Sequence, residues 1–361
     1  MTRPTSVQID TAALLHNLAR IKSYAPDSKI MAMVKANGYG CGLSFVIPTL
    51  IGHVDLFGVA CFEEAMAIRW IEPSSDIMLM QGVFGADELH GVAHHGFQMV
   101  VHQKRQLDWL LTTPLSTAIT VWMKVNTGMH RLGFEPNQIS EVYAALQSCP
   151  WVNKPIGIMS HLACADDPAS MSNQLQFDCF QKILSAMPGI MASLSNSAAM
   201  MSFPQMHFDL VRPGIMLYGV SPIAHQVGVD FGLKPVMCLE SMVTSIHTYG
   251  AGARVGYGGS WETKTDSVIG VVPVGYGDGY PRHIQPGTPV WVHGYRAPIV
   301  GRVSMDMLTV DLTDCPGVRE GDKVELWGNH IPIEIIAQSA GTIAYELMCQ
   351  LTSRVRQMDH Q

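Results

Sequence analysis

The chain has 361 residues, with 23 Lys and Arg against 30 Asp and Glu, for a formal charge of −7. At 47% hydrophobic and 15% charged residues it can build a large core and falls outside the disordered class. The mild acidity offers no basic footprint for nucleic acid or an anionic membrane, and no apolar run is long enough to span a bilayer.

Between residues 30 and 214 short apolar runs recur: IMAMVK from Ile30, LFGVACF from Leu56, IMLMQG from Ile77, FQMVVH from Phe97, ITVWMKVN from Ile119, PIGIMSHL from Pro155, GIMASLSN from Gly189 and HFDLVRPG from His207. Runs apolar on both faces are what strands of a buried parallel sheet look like. Between most of them lie segments with apolar residues three and four apart, such as FEEAMAIRWIE, QKRQLDWLLTT and SNQLQFDCFQKILSAM. Eight strands alternating with helices predict an α/β chain whose N-terminal part is a (β/α)8 barrel. A doubly wound sheet is the competing layout, but the glycine fingerprint GxGxxG that such sheets carry is absent.

From about residue 230 the texture changes to strand-like runs separated by Gly, Pro and Asp, including VMCLESMVTSIHTY, DSVIGVVPVGYG and DKVELWG. This predicts a C-terminal, mainly antiparallel β domain followed by a short helical tail. The expected division is 1–228 for the barrel and 229–361 for the β domain, with the first ~8 residues candidates to pair with the latter. The eight cysteines are scattered without a CxxC pair, and MTRPTSVQIDTAALLHNLARIK lacks the apolar stretch of a secretory signal. A cytoplasmic location is expected.

Barrel sites form at the C-terminal ends of the strands, so the residues closing each run carry the interest. The first run ends in Lys35, a residue costly to bury charged. The fifth leads through Lys124 to Arg131, the sixth ends in His161, the seventh in Asn196-Ser197 and the eighth in Arg212-Pro213-Gly214. Singly, each has an ordinary reading: a surfacing lysine, a hydrogen-bonded core histidine, Ser197 as a helix N-cap. Together they put a lysine opposite the loops that commonly hold phosphate in barrels, which points to pyridoxal phosphate bound as a Schiff base. An arginine at the ring nitrogen would leave that nitrogen unprotonated and keep the carbanion short-lived.

With MAMVKANGYG, MKVNTGMHRLGF, GIMSHLACADDP, SNSAAM, VRPGIMLYG, ARVGYGGSW, VPVGYGDGYPR, VGRVSMDM and TIAYELMCQLTSRV in order from about residue 30 to 356, the chain resembles the alanine racemase family of fold-type III pyridoxal phosphate enzymes. The resemblance implies interconversion of L- and D-alanine, supplying D-alanine for peptidoglycan. It implies that Lys35 carries the cofactor, that Tyr39, Asn196, Ser197, Gly214, Ile215 and Tyr345 hold its phosphate, and that Arg212 faces the ring nitrogen with His161 beside it. Arg131 would orient the substrate carboxylate, braced by Lys124, which the family carbamylates. Tyr257 would be the second base, reaching the site of the other subunit in a homodimer with shared active sites. Met305 would offer its backbone N–H to the substrate from that same partner, Asp306 would be a supporting carboxylate, and Tyr276 with Tyr345 would narrow the entrance.

Three positions depart from the family pattern: Cys41, Ser304 and Asn126 stand where histidine, cysteine and aspartate are usual. Asn126 is expected to alter hydrogen bonding around Lys124 and Arg131. The rival readings are a serine or broad-specificity racemase, a decarboxylase on the same scaffold, which Arg212 opposes, and a non-enzymatic pyridoxal phosphate carrier, which lacks the β domain. His90, His94 and His95 have helical spacing but no third-ligand motif, so no metal is expected.

Overall fold

The computed structural model describes residues 3–359. A first strand, β1 (Ser6–Ile9), precedes a helix at Thr11–Tyr24, whose N-cap Asp10 accepts the Ala13 N–H at 2.7 Å. Eight strands follow: β2 (Lys29–Met33), β3 (Leu56–Val59), β4 (Ile77–Leu79), β5 (Gln98–Val101), β6 (Val121–Lys124), β7 (Gly157–Met159), β8 (Met191–Ser193) and β9 (Leu210–Val211). Each falls inside one of the apolar runs, save that β2 begins one residue early at Lys29, and their residues are almost all buried, as strands packed on both faces require.

All these pairings are parallel, in the order β8-β7-β6-β5-β4-β3-β2-β9. The ends meet through backbone bonds from Asp209 N–H to Ala192 C=O (3.1 Å) and from Arg212 N–H to Ser195 C=O (3.0 Å). The sheet is thus a nearly closed barrel.

The second part contains β10 (Met237–Met242), β11 (Ser245–Tyr249), β12 (Arg254–Val255), β13 (Trp261–Glu262), β14 (Ser267–Val272), β15 (Pro289–Val292), β16 (Tyr295–Val300), β17 (Leu308–Asp311), β18 (Lys323–Trp327) and β19 (Arg356–Asp359). A nine-stranded sheet runs β11-β14-β17-β16-β15-β18-β10-β1-β19, antiparallel except where β1 meets β19. The two chain ends are therefore neighbours in this sheet. The pair β12–β13 stands apart as a short ribbon.

Two polar side chains, Asn17 buried and Glu334 half-buried, join the parts. Asn17, fully buried, donates to Leu217 C=O (3.0 Å) and Lys234 C=O (2.8 Å) and accepts the Lys234 N–H (2.8 Å). Glu334 accepts the N–H groups of Ser221 (2.8 Å) and Gly228 (2.9 Å), satisfying the backbone between barrel and sheet. The tail helices are Ile333–Ala340 and Ala344–Cys349. The second leans on the loop after β2 so closely that a Cβ on Gly40 would lie 2.1 Å from the Met348 carbonyl oxygen.

Candidate active site

The C-terminal ends of the barrel strands surround a cavity of about 320 Å³. Lys35, Tyr39, Lys124, Arg131, His161, Asn196, Ser197, Arg212, Gly214, Ile215 and Tyr345 all line it, with Met33, Met80, Gln81 and Leu132. A neighbouring cavity of about 540 Å³ shares His161, Asn196 and Tyr345 and is also lined by residues 221–227 and 341–344.

Lys35 follows β2 and begins a tight turn in which Ala36, Asn37, Gly38 and Tyr39 have φ of 53°, 55°, 64° and 53°. Left-handed conformations cost non-glycine residues roughly 1–2 kcal/mol each, and such strain persists only where neighbours enforce it. Burial, then the Arg131 guanidinium, lower the Lys35 pKa, against a smaller opposing pull from Glu64. A lysine pushed this way is more often a free amine, the form that acts as nucleophile or base.

Tyr39 ends the turn with its ring stacked 4.8 Å from Tyr218 and 6.0 Å from Tyr345. Burial drives the phenols of Tyr39 and Tyr345 well above their ordinary range, so both remain O–H donors. A Cβ on Gly214 would lie only 2.5 Å from the Tyr39 hydroxyl oxygen, so the glycine makes room for that hydroxyl. Asn196 is the N-cap of helix Ser197–Ser202, accepting the Ala199 N–H at 3.0 Å. Ser197 is therefore the first helical residue rather than the cap, and its hydroxyl is turned to the Gly214 N–H at 2.8 Å. Helix-start N–H groups, the Ser197 O–H, the Ile215 N–H and two protonated phenols could together serve as an anion-binding set, the Gly214 N–H being spent on Ser197.

Arg212 is 4% exposed and makes no ion pair among the described residues. Its guanidinium donates to Ser193 Oγ (2.5 Å), Ser160 C=O (2.7 Å) and Leu194 C=O (3.0 Å), and meets His161 Nδ1 at 3.2 Å. Burial lowers its pKa to about 10, so it remains a cation at neutral pH. His161 is forced the other way: burial, then Arg212 and the nearby Lys124, Arg131 and Lys35 charges, depress its pKa well below the usual imidazole value. Neutral His161 can accept from Arg212, and the positive charge of the pair belongs to the arginine alone.

Lys124, at the end of β6, is 8% exposed, and burial with the Arg212, Arg131 and Lys35 charges brings its pKa to about 7. Arg131 has no side-chain hydrogen bond or ion pair among the described residues and is exposed at the cavity rim, open to an incoming carboxylate. Its loop is closed by paired bonds between Phe134 N–H and Lys124 C=O and between Asn126 N–H and Phe134 C=O, both 2.9 Å.

Asn126 bonds to neither Lys124 nor Arg131. Its side-chain oxygen accepts the N–H groups of Gly128 (3.2 Å) and His130 (3.0 Å), while its amide donates to Glu135 (2.9 Å). An aspartate could make the first two bonds but would oppose the Glu135 carboxylate.

Unlike Tyr345, the β-domain candidates Tyr257, Tyr276, Met305 and Asp306 are not among the residues lining the cavity of the single chain. Tyr257 sits at the tip of the β12–β13 ribbon between two positive-φ glycines and is 71% exposed. Tyr276 and Met305 lie on adjoining loops, joined by bonds from Tyr276 N–H to Ser304 C=O (3.1 Å) and from Gly277 N–H to Met305 C=O (2.9 Å). Buried Asp278 pairs with Arg3 (2.8 Å) and Arg354 (3.3 Å), and Arg354 also grips Asp306 (2.6 Å). One residue near each chain end thus clamps the two loops.

Sequence reasoning passed over Arg3, Arg354, Ser160, Ser193 and Glu64, which act through backbone and buried contacts. Of the three histidines with helical spacing, His95 stacks on Phe97 at 5.5 Å as part of a packed aromatic group.

The chain matches the family described as "Alanine racemase, N-terminal domain" over residues 9–222 and "Alanine racemase, C-terminal domain" over residues 236–358. Alanine racemase of Legionella pneumophila (strain Corby) is 56% identical over 357 residues, 99% of each chain. That of Shewanella sediminis (strain HAW-EB3) is 49% identical over 96% of this chain and 97% of its own. Among solved structures, the biosynthetic alanine racemase from Pseudomonas aeruginosa superposes with a TM-score of 0.96 at 40% identity, covering 100% of both chains. The alanine racemase from Acinetobacter baumannii gives 0.93 at 39% identity over 99% of this chain and 100% of that one. With its barrel, its β domain and the full span of both matched in order, the chain belongs to the alanine racemase family.

Proposed function

We propose that the protein interconverts L- and D-alanine with pyridoxal phosphate, supplying D-alanine for peptidoglycan in the cytoplasm. The observation carrying this reading is that Lys35 and a carboxylate-free Arg212 share one cavity with the hydroxyl-bearing side chains of Ser197, Tyr39 and Tyr345. The donor set fits the cofactor: phenols and N–H groups for its phosphate, an amine for its aldehyde carbon, and a guanidinium for its ring nitrogen. When bound, pyridoxal phosphate withdraws electrons and acidifies the α C–H of an attached amino acid.

The side chains do the rest. Arg212 keeps its protons at neutral pH, so it would donate a hydrogen bond to the cofactor's ring nitrogen without protonating it. Arg131, uncommitted, takes the substrate carboxylate. Lys35 Nζ removes or returns the α-proton on one face. Tyr257 of a second copy serves the other face. Met305 and Tyr276 come from that same copy. Exposure of Tyr257, Tyr276 and Met305 at 71%, 40% and 51% supports a homodimer in which they are covered. Lys124, an amine of pKa about 7 among cations, is suited to react with CO2, and the resulting carbamate anion would brace Arg131.

The test is the visible spectrum of the purified protein, followed by α-deuterium exchange and optical rotation with each alanine enantiomer. A yellow protein bleached by borohydride that racemises alanine is expected. A yellow protein inert toward alanine but active on serine would overturn the substrate, and a colourless protein that pyridoxal phosphate cannot reconstitute would overturn the reading.

A further inference from the structure

One carboxylate is committed entirely to the backbone beside Lys35. Glu64 lies in the first turn of helix Phe62–Ile71 and is half-buried. Its Oε1 accepts the Ala36 N–H at 2.7 Å and its Oε2 accepts the Ala60 N–H at 2.8 Å. Ala36 is the residue immediately after the lysine and the first of the four in left-handed conformation. The second residue of the turn is held separately, by Asn37 Oδ1 accepting the Leu43 N–H at 2.9 Å. Ala60 follows β3, the strand paired with β2 in register Met33–Gly58. Glu64 therefore fixes the start of an unfavourable turn to the neighbouring barrel strand. A helix-start glutamate needs no such partners, since the N-terminal dipole alone favours its charge.

We propose that Glu64 is a positioning residue for Lys35, tying Ala36 to Ala60 so that the left-handed turn begins at one place and the lysine side chain leaves the barrel in one direction. Its charge has a second consequence: it raises the Lys35 pKa, opposing burial and Arg131. The proposal rests on the reading that Lys35 moves the α-proton on one face.

Glu64→Gln removes the charge and one of the two acceptors; Glu64→Asp keeps the charge but shortens the reach. In the cofactor-free full chain, labelling of Lys35 by an amine-reactive reagent across pH, read by peptide mass spectrometry, gives its titration midpoint. That midpoint is expected to fall in Glu64→Gln and to stay near the native value in Glu64→Asp. In the cofactor-loaded protein, α-deuterium wash-in from D-alanine, the Lys35 face, is expected to slow at least about tenfold in both variants, because a small misplacement of a reacting group is costly. Wash-in from L-alanine, the Tyr257 face, should change less than about threefold.

An unchanged midpoint in Glu64→Gln, or equal slowing from both enantiomers, would overturn the proposal and leave Glu64 a structural carboxylate. Should Glu64→Gln fail to fold, the enantiomer ratio in Glu64→Asp decides. Failure of the parent reading would look different: native Lys35 would gain no protection from pyridoxal phosphate. The cofactor-free midpoint would still decide the charge effect of Glu64.

Discussion

Gly214→Ala is a one-carbon test of the anion-binding set. The added Cβ would lie 2.5 Å from the Tyr39 hydroxyl oxygen and 3.1 Å from the ring carbon bearing it, whereas ordinary contact begins at 3.4 Å. The hydroxyl would have to retreat by roughly 0.9 Å. The ring cannot easily follow. It is stacked on fully buried Tyr218, whose own hydroxyl is fixed to Met33 C=O at 3.0 Å, and its backbone is locked in the left-handed turn. Losing one hydrogen bond to a charged phosphate costs about 1.5–3 kcal/mol, which is roughly 10- to 150-fold in the dissociation constant.

The assay is titration of cofactor-free protein with pyridoxal phosphate, followed by absorbance. Tyr39→Phe removes the obstructing oxygen, so Gly214→Ala should cost far less in that background than in the native one. Strictly additive losses in the double-mutant cycle would refute the steric argument. Unchanged affinity in Gly214→Ala would refute the role of the Tyr39 hydroxyl.

Tyr257→Phe should impair proton removal from L-alanine far more than from D-alanine, because Lys35 still serves the other face; equal α-deuterium wash-in from both enantiomers would undo the two-base assignment. Arg212→Glu should retain cofactor yet raise transamination, read as pyruvate formed per racemisation event, and an unchanged ratio would count against the ring-nitrogen role. Lys124→Met tests a titration whose sign is fixed. With a pKa of about 7 in the fold against 10.5 in the unfolded chain, the native lysine binds fewer protons than the unfolded one between those values, so its burial penalises stability most below pH 7 and less as pH rises. In CO2-free buffer the variant's advantage in Tm should be largest near pH 6 and should fade toward pH 10; a constant difference would contradict a depressed lysine. Finally, Lys35→Ala and Tyr257→Ala chains, each inactive, should recover up to about one quarter of native activity when reassorted as random dimers, since half the dimers are mixed and each has one intact site. No recovery despite proven subunit exchange would remove Tyr257 from the partner's site.

The barrel was legible because its strands are buried on both faces, which leaves an apolar run wherever a strand lies; even the two-residue β9 stands inside one, HFDLVRPG. A pairing of the first residues with the β domain is among the sequence expectations, but a strand at β19 is not. β1 pairs with both β10 and β19, each more than 200 residues away in sequence, and β19 pairs with β1 alone among the described residues. No local pattern encodes such a partnership. The strand-end rule found Lys35, Arg131, His161 and Arg212 because parallel strands in a barrel all point the same way, so residues closing separate runs meet at one mouth.

What strand ends do not encode is how those side chains are held and charged. Ser160 and Leu194 hold Arg212 through carbonyl groups, which any residue would supply. Glu64 reads in sequence as one of two acidic residues opening a helix, and only its reach to Ala36 and Ala60 separates it from Glu63, which is exposed. His161 Nδ1 and the Arg212 guanidinium lie 3.2 Å apart. Sharing one buried space, they cannot both be charged cheaply, and the group with the higher intrinsic pKa keeps its proton. The same competition sets Lys35 and Lys124 against Arg131 and Arg212. Burial is the first cause lowering both amines, with the Arg131 charge adding to it at each and the Arg212 charge at Lys124, and a neutral amine is the form that can attack a carbonyl carbon or CO2.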